Sequence, residues 1–206
     1  MNITSYITDK IVKLIGKVQW KQTHEITFEQ KDRIKHLLKD NYFIILTRRS
    51  NHLSTYFIAL GHFLMTGKFG CYSHVLMNLE DTVTTDDDFR FIEATGVGVK
   101  YSTFNEVFDG VDVVCLLRPN HLTNQEWTSI LDRAKTELGK PYDTLFDLTN
   151  DKALSCVELV RVALKGQPDY EHDFEHFEYM ISKYKNLTPQ MFRDCETFAP
   201  ILELKN

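Results

Sequence analysis

The feature that most limits what this chain can fold into is a crowd of short apolar runs between residues 41 and 119. They read "NYFIILTRR", "CYSHVLMNLED", "FRFIEAT", "GVGVKYS" and "VDVVCLLRP". Each is bounded by polar residues or glycine, so each is predicted as a strand. The third and fourth are separated only by a glycine turn. Strands gathered between helical stretches predict an α+β fold with a mostly antiparallel sheet.

Helical patterns surround the strands. Residues 1 to about 38 read as two amphipathic pieces, the second ending in "FEQKDRIKHLLKD". "LSTYFIALGHFLMTGKFG" is a helix ended by Gly67 and Gly70. "TNQEWTSILDRAKTELGKP" opens on a capping box, Thr123 with Glu126, and stops at Gly139, Lys140 and Pro141. In "ALSCVELVRVALKG", Ser155 is the N-cap, Cys156 the first residue inside the helix and Gly166 the stop. The acidic, aromatic tail carries a further helix at "EHDFEHFEYMISKYKN". "DTVTTDDDF" is a polar loop whose aspartates form a solvated turn, because a calcium loop needs a longer ordered ligand pattern. A chain of 206 residues supports one core. That core is assigned to residues 40–166, with a helical extension at 1–39 and an acidic, aromatic one at 167–206.

Composition removes several function classes. The net charge of −5 opposes nucleic-acid binding. The cysteines Cys71, Cys115, Cys156 and Cys195 form no C-x-x-C pair, which argues against a zinc ribbon or a thioredoxin-type site and for free thiols in a reducing compartment. Asp9 and the lysines at 10, 13 and 17 break up any signal-peptide core, and no apolar run reaches membrane-spanning length. A cytoplasmic protein without stable membrane insertion is expected, in the host cytoplasm if the source is a virus or phage. No cofactor and no metal are expected.

Cys156 poses the chemical question. A helix N-terminus carries partial positive charge and favours a thiolate, yet a buried cysteine is also a plain small hydrophobe. A nucleophilic thiol needs a base, and the base needs a group to orient it. Of the eight histidines, His74 stands out at the start of a strand apolar at consecutive positions, hence covered on both faces. It is either a base or a core histidine satisfied by backbone. Glu93 sits in the next strand. A buried carboxylate needs a partner, and His74 is within reach across a hairpin-like return; otherwise Glu93 is solvated at the strand end.

"YSHVLM", "FIEATGVGV", "LGKPYD" and "SCVELV", in that order, resemble the circularly permuted papain-like hydrolases. These are the YaeF/YiiX-type permuted amidases, relatives of the NlpC-type peptidases and of the lecithin:retinol acyltransferase group. In ordinary papain-like enzymes the cysteine helix comes first; here the histidine strand precedes it. The resemblance implies Cys156 as nucleophile, His74 as base and Glu93 as orienting residue. It implies Tyr142 as a hydroxyl that shapes the substrate pocket, and the Cys156 N–H as an oxyanion-hole donor. Glu158, in the Cys-x-Glu-Leu pattern, is read as structural, and Asp143 as a turn-former. The segment "KDNYFIILTRR" lacks the Gly-Asp turn with which many relatives open the core.

The function expected is a cysteine hydrolase of amidase or peptidase type. It would act on a small peptide, acyl-amide or lipid ester through an acyl-enzyme, with acyl transfer as a variant. Two other classes compete. One is a metal module built on His172 and His176, with Glu171 and Glu175, at helical spacing. The other is an idle papain-like scaffold used for binding.

Overall fold

All five expected strands form, and a sixth joins them. The computed structural model describes residues 10–11, 14–15, 17–22, 24–39, 41–79, 89–120, 122–149, 151–165, 167, 170–184 and 186–206. The strands are β1 (Ile44–Arg48), β2 (His74–Asn78), β3 (Arg90–Thr95), β4 (Gly98–Thr103), β5 (Val113–Pro119) and β6 (Phe198–Lys205). They form one sheet in the order β4-β3-β2-β1-β5-β6, with every neighbouring pair antiparallel. The described helices are α1 (Phe28–Leu38), α2 (Leu53–Thr66), α3 (Phe104–Phe108), α4 (Asn124–Thr136), α5 (Cys156–Leu164), α6 (Tyr170–Asp173), α7 (Glu175–Tyr184) and α8 (Pro189–Asp194). The fold is α+β.

The consecutive apolar residues of β1 and β2 have the consequence expected of them: both faces of the sheet are covered. Ile44, Leu46, Val75 and Met77 enter one core with side chains of α4, α5 and α7. Phe43, Ile45 and Leu76 enter a second with Ile34 and Leu38 of α1 and Phe104 and Phe108 of α3. Capping boxes start α1, α3, α4 and α5, at Thr27–Gln30, Thr103–Glu106, Thr123–Glu126 and Ser155–Glu158. Each box satisfies two backbone donors that a helix start leaves open.

The tail adds the sixth strand, which the sequence pattern does not predict. Residues 198–205 pair with β5 along the sheet edge, across a bulge between Leu116 and Leu117, and Leu202 is buried. The edge position tolerates Pro200. The tail helix also divides, into α6 and α7 on either side of Phe174, whose buried ring stacks on Tyr170 at 5.0 Å. The "DTVTTDDDF" loop, apart from Phe89, and the stop at Gly166 lie outside the described residues.

Two thiols sit differently from expectation. Cys195, whose charged neighbours in "FRDCETF" predict partial exposure, is 1% exposed because α8 folds its end into the main core, and burial pushes its thiol up. Cys71 precedes β2 rather than lying within a strand, and is half-buried. Cys115, in β5, is buried, and desolvation pushes its thiol up to about 11. Among the described residues no helix is long and apolar enough to cross a membrane.

Candidate active site

Local forces fix the thiol first. The Ser155 N–H donates to Glu158 Oε2 at 2.7 Å, and the Glu158 N–H donates to Ser155 Oγ at 3.4 Å. This box starts α5 one residue before Cys156, so Cys156 occupies the first helical position, where a backbone N–H has no intrahelical acceptor. α5 packs on β2 and β3 and on α4. Cys156 is thereby brought, buried, against the first residue of β2, His74.

The strand side supplies the rest. The β2–β3 ladder pairs Met77 with Ile92 and Asn78 with Phe91. Continuing that register sets Leu76 opposite Glu93 and makes His74 its diagonal neighbour, within reach of a long side chain. His74 Nε2 meets Glu93 Oε2 at 2.7 Å. The other carboxylate oxygen, Oε1, accepts from the Ser102 hydroxyl and lies 3.6 Å from Lys100 Nζ. Glu93 is 6% exposed, so a solvated strand end is ruled out.

Charge follows from these contacts. Burial would raise the Glu93 carboxyl, but the hydrogen bonds from His74 and Ser102 and the charges of His74 and Lys100 hold it at about 2. Burial would lower the His74 imidazolium, but hydrogen bonding to Cys156 and Glu93 and the negative charge beside it hold it at about 10. With Nε2 given to Glu93, Nδ1 is the ring nitrogen left to face the thiol. An imidazolium so placed donates from both nitrogens.

Tyr142 arrives by a separate seam. The Val99 N–H donates to the Lys140 carbonyl at 2.9 Å, the Gly139 N–H to the Val99 carbonyl at 3.0 Å, and the Leu154 N–H to the Pro141 carbonyl at 3.0 Å. The segment before Tyr142 is thus tied both to the edge of β4 and to the residue before Ser155. Gly98 makes the seam possible: its φ is +111°, and a Cβ there would stand 2.5 Å from the Lys140 carbonyl oxygen. Burial, then the charges of Cys156, Glu158 and Asp143, push the Tyr142 hydroxyl well above its ordinary value, so it stays a phenol hydrogen-bonded to Cys156. The Tyr142 ring meets Phe146 edge-on at 6.4 Å, and Phe146 holds a left-handed backbone with φ 54°.

Asp143 is a turn-former, accepting from the Leu145 N–H at 2.9 Å and the Asp147 N–H at 2.6 Å. Glu158 serves its helix cap, and burial raises its carboxyl. Cys156, His74, Glu93 and Tyr142 therefore meet at one place. Ser102, Lys100 and Arg49 were not read from the sequence as part of it. Lys100 pairs with Glu93 across the β3–β4 hairpin and Ser102 follows on the same face, so the alternation in "GVGVKYS" carried that signal. The Arg49 charge also acts on Glu93, through a guanidinium bonded to the carbonyls of Glu106, Val107 and Asp109.

The remaining candidates lie elsewhere. His62 is buried with Nδ1 on the Thr188 hydroxyl at 2.8 Å. His172 and His176 fall on separate helices, and the His172 side chain, 92% exposed, contacts Asp173 at 3.2 Å. Among the described residues no group of three or more His, Cys, Asp or Glu side chains is placed to hold a metal ion.

No family model matches the chain, and no curated protein matches it. Among solved structures it resembles the metalloprotein YiiX of Escherichia coli O157:H7, DUF1105. The two are 20% identical with a TM-score of 0.56, over 82% of this chain and 99% of that one. The likeness is one of fold. The metal-binding character of YiiX has no counterpart in a donor set among the described residues here.

Proposed function

We propose that the protein is a cysteine hydrolase of the circularly permuted papain-like type, with Cys156 as nucleophile, His74 as base and acid, and Glu93 as the residue that orients His74. The observation that carries the reading is the chain of contacts from a buried helix-start thiol through His74 to Glu93, at 2.7 Å across the last step. An idle scaffold has no need of such a chain. The order along the polypeptide, histidine strand before cysteine helix, is the permuted one.

The chemistry runs in two halves. The thiol proton already rests on His74, held as an imidazolium, and the sulfur attacks the carbonyl carbon of an amide or ester. The negative oxygen that forms is met by the Cys156 N–H at the start of α5. As the intermediate collapses, the bond to the leaving nitrogen or oxygen breaks and His74 returns the proton to it. Water, deprotonated by His74, then attacks the thioester, releases the acid and restores the thiol. An amine or alcohol in place of water gives acyl transfer. Tyr142 donates towards the sulfur and walls the reacting carbon. Glu93 keeps Nε2 protonated and stabilises the imidazolium in both halves. Small peptides, acyl-amides and lipid esters are the substrate classes this chemistry serves.

The test is a library of acyl probes incubated with the protein and read by intact mass and peptide mapping. An acyl adduct on Cys156, lost in Cys156→Ser and much slowed in His74→Ala, is expected. Adducts on other residues, or none with any amide or ester probe, would overturn the reading.

A further inference from the structure

α2 has its polarity inverted. It buries Thr55 and His62, while Tyr56, Phe57, Leu60, Phe63 and Leu64 face solvent, between 37% and 75% exposed. Those positions form a single helical stripe. The stripe continues at both ends. Exposed Phe69, past the helix cap, stacks on Phe63 at 4.4 Å, and exposed Trp20 lies against Tyr56 at 5.7 Å. Trp20 is held there by backbone: its N–H donates to the Asn51 carbonyl at 3.0 Å, and the Leu53 N–H donates to the Val18 carbonyl at 3.0 Å. Scattered exposed apolar residues are ordinary, but a contiguous aromatic and aliphatic stripe marks a surface that meets something.

Charge identifies the occupant. Residues 53–79, from the start of α2 onward, contain Lys68 and no acidic residue, and residues 10–22 contain four lysines and no acidic residue. Arg48 and Arg49, before the helix, are engaged by Asp112 and by the carbonyls of Glu106, Val107 and Asp109 and add nothing to this face. This is in a chain with 29 acidic residues and a net charge of −5. Lys17, Lys21 and Lys68 are exposed. An apolar face bearing Trp, Tyr and Phe and flanked by lysines suits anionic lipid. The rings and aliphatic chains enter the headgroup boundary, and the ammonium groups meet phosphate and carboxylate. A second copy of this chain seated on the face would bring lysines against lysines.

We propose that the α2 stripe, with Trp20 and Phe69, is a peripheral docking surface for anionic lipid bilayers. It lies on the membrane rather than across it. The Thr55 hydroxyl on its buried edge is 3.2 Å from the Ser73 hydroxyl, next to His74, so the docking helix and the candidate base share one end of the sheet.

The test is co-sedimentation of the full chain with vesicles of phosphatidylcholine alone and of equal parts phosphatidylcholine and phosphatidylserine. Binding to the mixed vesicles, weakening with added salt, is expected. Phe57→Ser with Leu64→Ser should weaken it about tenfold per side chain. Lys17→Gln, Lys21→Gln and Lys68→Gln should each weaken it about fivefold. Unchanged melting and unchanged Cys156 labelling certify that these variants are folded; if the serine pair melts early, the lysine variants decide. Three results would each overturn the proposal: no sedimentation with either vesicle, equal binding by wild type and variants, or a wild-type dimer that the serine substitutions dissociate.

Discussion

On the strand side of Cys156, Glu93 is 6% exposed; on the helix side, Glu158 is 4% exposed. Equal burial has opposite outcomes. Glu93 has His74, Ser102 and Lys100 around it, and its carboxyl is held at about 2. Glu158 has the Ser155 hydroxyl and N–H, but Asp143 and Asp147 are its charged neighbours, and desolvation wins, so its carboxyl rises. Burial therefore does not assign a role to a carboxylate. The partners do: one glutamate supports a positive charge on a neighbouring ring, the other closes a helix cap.

The contrast can be broken most forcefully by deletion. Glu93→Ala strands the His74 imidazolium and Ser102 in the core and should cost about 3 kcal/mol. Glu158→Ala removes half of a capping box and should cost about 1 kcal/mol. Thermal melts of the two proteins side by side decide, and equal losses would mean that the two sites are not different in kind.

Gly98→Ala attacks the seam that connects the two sides. It forces a Cβ towards the Lys140 carbonyl at a φ that L-residues avoid. A cost of about 2 kcal/mol is expected, together with slower Cys156 labelling as Tyr142 shifts. A variant with wild-type melting and labelling would show that the seam does not position Tyr142.

The pH dependence sharpens the contrast further, because the signs differ. The Glu93 carboxyl is depressed from 4.5 to about 2, so its stabilisation is complete above 4.5 and is lost as pH falls through about 2. The His74 imidazolium is raised from 6.5 to about 10, so its stabilisation is complete below 6.5 and is lost as pH rises through about 10. Wild type should therefore exceed Glu93→Gln by its widest margin between pH 4.5 and 6.5, with the margin closing on both sides. The Glu158 carboxyl is raised above 4.5, so the folded state loses stability as that group ionises. Glu158→Gln, the smallest effect, should lie within about 0.5 kcal/mol of wild type at pH 4 and gain on it towards pH 7. Parallel pH profiles for the two glutamine variants would contradict the assignment.

Much of this was legible because it is local. The Thr123 and Ser155 boxes, the left-handed stop at Gly67 and the hairpin around Gly96 depend on residues a few positions apart. His74 and Glu93 were legible for another reason: each is a polar group in an apolar run, and two such groups on successive strands have few partners but each other. β6 was not legible, because "FAPILELK" becomes a strand only by pairing with β5, far away in sequence, and Pro200 argues against a strand until its edge position is known. Cys195 failed similarly. Charged neighbours in "FRDCETF" suggest exposure, but α8 places the sulfur in the core.

The central claim is that Cys156 is the working thiol and His74 its base. The most direct measurement is the iodoacetamide labelling rate of each of the four cysteines at pH 6, by peptide mass spectrometry, in wild type and His74→Ala. An ordinary thiol, with a pKa of about 8.5, labels slowly there, and burial slows Cys115 and Cys195 further. The account predicts that Cys156 labels fastest in wild type and falls to an ordinary rate in a folded His74→Ala protein. Four similar rates, or a Cys156 rate indifferent to His74, would contradict it.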